Sequence, residues 1–213
     1  TKNDWILHLD ADEHLTPELF AEMKDRIKTN PSEAGFYIPS KVMFMNRWLK
    51  HCGGYPNYQM RLFHKDRMRF QDHGHGQREL TDGAIGMIKE PYLHYVFSKG
   101  IAHWLAKHNI YATQEARQAF VEDEGLDLKG LFSTDRITRR RSIKRLSFRL
   151  PMRDKLRVLQ LLILQGGILD GRAGLMYARL MSIYERMIAV KYKLLRYGES
   201  EGRKGRSYRS DNI

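Results

Sequence analysis

The stretch HLDADEHL, residues 8–15, sets Asp10, Asp12 and Glu13 directly behind the apolar run that begins at Trp5. In a strand, two carboxylates one residue apart point the same way, so Asp10 and Asp12 can face one hard cation. Oxygen donors of this kind suit Mg²⁺ or Mn²⁺ shared with the phosphates of a substrate. The same string also serves as an ordinary solvated acidic loop ahead of a helix, and short D-x-D strings are common. His73, His75 and His94 offer imidazoles, but their spacing matches no compact zinc motif and no pair of cysteines assists. Cys52 is the one cysteine of the chain. No nucleophile motif surrounds it, so it reads as a loop thiol.

The elements that would position these groups follow from pattern. Residues 4–10, DWILHLD, are short, apolar and bounded by polar residues, which predicts a buried strand. LTPEL comes next, with Thr16 placed to cap a helix, Pro17 at its first position and Glu18 in its first turn. Leu19, Met23 and Ile27 share one helical face, and NPSEAG ends the helix with turn residues. Strand, acidic tip and capped helix make an α/β unit. Ligands bind at the carboxyl ends of strands in open α/β sheets.

Residues 35–96 read as β-rich, with strands over GFYIPSKVMF, QMRLFHK and IGMIKEPYLHY. A helix is predicted from Ser98 through His108, and a second from near Thr113. Beyond residue 130 the composition turns basic: Arg136, Arg139, Arg140, Arg141, Lys144, Arg145 and Arg149 precede two helical stretches, about 153–165 and 172–197, split by Gly166, Gly167 and Gly171. The charge-free run Val158–Leu169 is too short to span a bilayer, which takes about 20 residues. The tail from Gly198 is polar and reads as disordered. The expected organisation is an α/β domain over 1–130, a basic amphipathic helical extension over 131–200 and a disordered tail over 201–213.

Composition narrows the partners. The 213 residues carry a formal net charge of +12, which implies an anionic partner such as phosphate, nucleic acid or an acidic membrane. A lone cysteine excludes an internal disulfide framework and fits a reducing compartment. Residues 1–15 lack the basic start and small-residue cleavage site of a signal peptide. Seven cations within 136–149 suit an anionic leaflet, where each contributes about 1 kcal/mol. Leu156, Leu159, Leu162 and Ile163 are then candidates for the interface. The expected location is cytoplasmic, peripheral on the inner face of the membrane. A helical appendage packed on the first domain, with its cations merely solvated, accounts for the same pattern.

WILHLDADEHLTPEL resembles the strand, D-x-D and helix segment of family 2 glycosyltransferases with the GT-A fold, in the bacterial branch that builds lipopolysaccharide core and exopolysaccharide. The likeness continues in order through RLFHKDRMRF, GHGQREL, GAIGMIKEPYLHYVFSKG and LAKHNIYATQEA, covering about residues 4–120. It implies a partial GT-A domain that moves a sugar from a nucleotide-diphosphate donor to a lipid-linked saccharide, with inversion. Asp12 would then ligate Mn²⁺ or Mg²⁺, Asp10 would contact the donor ribose or the ion's water shell, and His94 would be a further metal ligand. Members of this branch carry a His-Glu pair where this chain reads Arg78-Glu79. Glu79 is therefore the first candidate for general base, and Asp72 the alternative. HCGGYPNYQMRLF is expected on the acceptor side, because its glycines let backbone approach a ligand closely. There Trp48, Tyr55 and Tyr58 offer rings for sugar stacking, Arg61 a phosphate contact, and His75 a further substrate contact. The family's donor-binding half has no counterpart here, since no SVVIPxYN-like opening strand is present. An N-terminal portion is expected to precede this chain.

Two rivals differ in class. A basic patch is also the footprint of a nucleic-acid-binding protein. No RNP, zinc-finger or KH signature accompanies it and the basic run adjoins apolar helices, so no nucleic-acid partner is expected. A haloacid-dehalogenase phosphatase also opens with a strand and D-x-D, but it wants Thr or Val where this chain has His14.

Overall fold

The computed structural model of the chain describes residues 3–29, 31–73, 76–121, 128–149 and 152–203. It divides into two compact units, one formed by Thr1–Trp104 with Leu161–Ala178, the other by Leu105–Gln160 with Arg179–Ile213. The units do not follow the shift in composition at residue 130. The apolar segment after the basic run returns to the first unit.

The first unit is mixed α/β. Its opening strand β1 (Trp5–Leu7) is shorter than the expected 4–10, and a two-residue strand β2 (Glu13–His14) follows. The helix α1 (Pro17–Lys28) begins as its sequence dictates. The Thr16 hydroxyl accepts from the Leu19 amide at 3.1 Å, Pro17 occupies the first turn, and Arg26 and Lys28 sit in the last turn near the negative end of the helix dipole. The long strand β3 (Gly35–Phe44) turns back through Met45 and Asn46, both at positive φ, into β4 (Arg47–Trp48). Next come β5 (Asn57–His64), the ribbon β6 (Arg69–His73) and β7 (Gly76–Leu80), then β8 (Ile85–Met87) and β9 (Tyr92–Tyr95).

The main sheet runs β1-β5-β3-β9-β2, with β4 and β8 also paired to β3. β1 is therefore an edge strand, half-buried and antiparallel to β5, where a buried strand was expected. IGMIKEPYLHY makes two strands instead of one. β8 and β9 pair parallel with successive parts of β3. Between them Pro91 has no amide to give, and the Lys89 and Glu90 amides donate to the Glu22 carboxylate at 2.9–3.1 Å.

α1 covers one face of this sheet. Leu19 and Met23 pack with Phe36, Ile38, Leu62, Ile88 and Tyr92, flanked by Trp5, Leu7 and Ile27. A second cluster of Ala34, Met60 and Met68 is joined by Tyr37, Phe63 and, from the ribbon, Phe70. Met60 and Leu62 are two residues apart yet serve different clusters. The cause is a β-bulge: Phe36 pairs with Leu62 while Tyr37 pairs with Met60, which leaves Arg61 as the extra residue.

In the second unit, α2 (Gly100–Val121), which starts in the first unit, is one helix where two were expected. No breaker separates His108 from Thr113, and the Thr113 hydroxyl donates to the Asn109 carbonyl at 3.1 Å. A short α3 (Leu128–Leu131) precedes the basic α4 (Arg136–Arg149). Asp135 starts α4 by accepting from the Thr138 amide at 2.9 Å. α5 (Arg153–Leu159) runs into a π-helical turn and a 3₁₀ turn (Gly167–Asp170) that belong largely to the first unit, and α6 (Gly171–Arg203) ends the described chain. The tail expected to be disordered from Gly198 is helical through Arg203 as the end of α6, and from 204 onward it lies outside the described residues.

Ala112 and Ala116 of α2 let Ile188 and Tyr192 of α6 approach closely, and Tyr184 packs alongside. Burial, followed by the nearby Glu115 and Glu185, pushes the Tyr184 phenol up to about 12. An unfolded chain ionises tyrosine near pH 10, so between about pH 10 and 12 the unfolded state binds fewer protons than the folded one. Stability should therefore be intact below about pH 10 and fall as pH rises toward 12. Urea midpoints across that window should drop for the parent chain, with a shallower slope for Tyr184→Phe.

Candidate functional site

The residues Asp10 to Glu13 form a turn, closed by the Glu13 amide donating to the Asp10 carbonyl at 3.0 Å. Neither Asp10 nor Asp12 lies in a strand, which corrects the expectation of two side chains pointing alike from one extended segment. Each carboxylate has a partner of its own.

Arg61 holds one of them. As the bulged residue of β5 its side chain is re-aimed, and the guanidinium donates to Asp10 Oδ2 at 3.1 Å and to Glu13 Oε1. The other Glu13 oxygen accepts from the Asp10 amide at 3.0 Å. The Glu13 side chain is fully buried and that of Arg61 is 10% exposed. The Arg61 guanidinium also lies 5.5 Å from the centre of the buried Tyr92 ring, whose hydroxyl donates to Gln59 at 3.0 Å. Burial alone lowers the Arg61 pKa, but Tyr92, Glu13 and Asp10 together hold it above its ordinary value. Arg61 is therefore a charged strut beneath the acidic turn. That corrects its expected role as a substrate phosphate contact, because a buried guanidinium committed to two carboxylates is not open to solvent.

Asp12 goes elsewhere. β2 pairs with β9 so that Glu13 lies opposite His94, and the Tyr95 amide donates to the Asp12 carbonyl at 2.8 Å. This register brings Asp12 Oδ2 to 3.6 Å from His94 Nε2, with both side chains about a quarter exposed. Of the three expected metal ligands, Asp12 and His94 are thus brought together, while Asp10 is drawn to Arg61. Among the described residues the group of three such donors lying within 4.8 Å of one another is Asp4, His64 and Asp66. Two of its members already have partners. Asp4 is paired with Lys65 at 2.8 Å, which lowers its pKa through that hydrogen bond and charge, and His64 Nδ1 accepts from the Asp66 amide.

Glu79 lies on β7 opposite Phe70, in the two-stranded ribbon. Its charge is felt by Tyr37, whose pKa is raised first by burial and then by Glu79. Asp72 sits on the facing strand opposite Gln77, and His75 lies outside the described residues. Trp48 and Tyr55 meet edge to face at 5.0 Å, with Lys41 over the Trp48 ring at 4.7 Å. The loop carrying Tyr55 is tied down from a distance in sequence. The Asp170 carboxylate accepts from the His51 amide and, at 2.7 Å, from the Cys52 amide. Sequence reasoning missed Asp170 and the pairing of Glu13 with Arg61. A contact across 48 residues leaves no local periodicity, although an acid between Gly167 and Gly171 is a recognisable turn signal.

No model of a known protein family matches the chain, and no solved structure matches it. Among the described residues no helix is long and apolar enough to cross a membrane.

Removing one partner of a buried ion pair leaves the other charge without compensation, at a cost of about 3–5 kcal/mol. Arg61→Ala should lose stability on that scale in urea unfolding. Arg61→Met combined with Glu13→Leu should lose much less, because neither charge is then stranded.

Proposed function

We propose that this chain is part of a metal-dependent, GT-A-type glycosyltransferase that transfers a sugar from a nucleoside-diphosphate donor to a lipid-linked saccharide. The observation that carries this reading is the approach of Asp12 to His94, 3.6 Å apart and partly open to solvent at the sheet end of a D-x-D turn. A carboxylate and a neutral imidazole would make a mixed donor set acceptable to Mn²⁺, whereas Mg²⁺ would rely on the carboxylate and on substrate oxygens. A divalent ion bound there supplies Lewis-acid neutralisation of the departing diphosphate.

The protein's own groups do the rest. Asp12 and His94 hold the ion. Asp10, fixed by Arg61, meets the donor ribose or the ion's water shell. Glu79 takes the proton of the attacking hydroxyl, with Asp72 as the alternative base. The Trp48–Tyr55 pair, packed edge to face, lines the acceptor side. The exposed Arg136, Arg139 and Arg140 of α4 favour an anionic surface, which suits a peripheral enzyme on the inner face of the cytoplasmic membrane.

Hydrolysis of nucleotide sugars by the full chain, with and without Mn²⁺, tests the site. Asp12→Ala should lower the Mn²⁺-dependent rate by about a hundredfold or more with an unchanged circular-dichroism spectrum. An unaffected rate removes Asp12 from the site. Glu79→Gln should lower transfer by roughly 10²–10⁴-fold with little change in donor affinity. If Asp72→Asn does this instead, Asp72 is the base.

A further inference from the structure

The segment Leu161–Ala178 of the first unit has one face fixed and one face bare. On the fixed side, Leu161, Gly167, Ala173, Gly174 and Ala178 are buried. Asp170 is capped by the His51 and Cys52 amides, and the Cys52 thiol lies 3.5 Å from the Gly174 carbonyl. A Cβ added at Gly167 would come within 2.2 Å of the Cys52 sulfur, so the fit is tight. Gly166, at φ 72°, makes the turn between the two halves. The Gly166 amide donates to Ile163 at 3.1 Å and the Leu169 amide to Gly166 at 2.9 Å. On the bare side, Ile163, Leu164, Ile168 and Leu169 are exposed to 57, 78, 61 and 74%. Scattered exposed hydrophobes are ordinary. Four on one braced turn of seven residues are an interaction surface.

Charge says what the surface meets. The run from Val158 to Leu169 carries no charge, and Asp170, the one acid of 155–184, is turned inward onto backbone amides. Exposed cations adjoin it in this unit: Arg172 follows Asp170 and Gly171, and Lys50 precedes His51, whose ring lies 3.4 Å from where a Cβ at Gly166 would sit. An apolar tip flanked by Arg172 and Lys50 is complementary to an anionic bilayer, where the tip enters the acyl boundary and the cations meet headgroups. A second copy of the chain would present the same cations and repel.

We propose that residues 163–169 insert into the headgroup and acyl boundary of an anionic phospholipid bilayer. Through Asp170 the same turn braces the loop of His51 to Tyr55, so the Trp48–Tyr55 pair is held beside the lipid surface that would present a lipid-linked acceptor. That last step rests on the transfer reading above; the insertion does not.

Co-sedimentation with vesicles of phosphatidylglycerol and phosphatidylcholine, against phosphatidylcholine alone, tests the insertion. The parent chain should bind the anionic vesicles and lose binding at high salt. Leu164→Asp and Leu169→Asp should each weaken it roughly tenfold or more, with the fold and the hydrolysis of nucleotide sugars in free solution unchanged. Leu164→Trp should give a blue-shifted emission that brominated lipids quench. Equal binding by the Asp variants, emission from the Leu164→Trp variant that brominated lipids leave unquenched, or a lipid-free dimer that the Asp variants dissolve would overturn the proposal. Quenching with no detectable hydrolysis would support the insertion and count against the transfer reading alone.

Discussion

One buried contact governs the geometry of the first unit: the Arg61 guanidinium against the Glu13 carboxylate. Burying both charges is costly, and the arrangement holds because every oxygen of Glu13 is used and Arg61 has Asp10 and the Tyr92 ring as further partners. The pair reaches from β5 across to the start of β2, which makes the acidic turn part of the sheet. Were the turn free, Asp12 would sample solvent. Tied down, it sits in the register that puts it beside His94. The bulge at Arg61 makes this possible, because ordinary alternation would put Met60 and Leu62 on one face and turn Arg61 to the other.

How much of this was legible depended on whether the deciding contact was local. The Thr16 cap, Pro17, the helical face of Leu19, Met23 and Ile27, and the strand Gly35–Phe44 were all readable, because each is set within a few residues. The split of β8 from β9 was missed, since it is imposed by Glu22 reaching over from α1 to two amides. The short β1 was missed for a related reason. An apolar run predicts burial, but the pairing partner on β5 decides where extended pairing stops. α2 was divided near Thr113, where nothing in the backbone interrupts the helix.

The candidate site was half legible in the same sense. The residue types were visible: Asp10, Asp12 and His94 stand out from pattern and resemblance. Their division of labour was not, because Arg61, expected to contact phosphate, is the internal counter-ion that claims Asp10. The loop of Trp48 and Tyr55 was recognisable by its glycines and rings, whereas its brace, Asp170, is 118 residues from the Cys52 amide it receives. The basic region was readable as charge, and only the fold separates the cations of α4 from the uncharged turn at Gly166, which belongs to the first unit.

The most direct test of the account is the coordination of Mn²⁺ by the full chain, followed by electron spin-echo spectroscopy with and without uridine diphosphate. The account predicts a bound ion coupled to one histidine nitrogen, with the coupling lost in His94→Ala and affinity weakened about tenfold or more in Asp12→Asn. A bound ion with no nitrogen coupling, or affinity indifferent to Asp12, would contradict it.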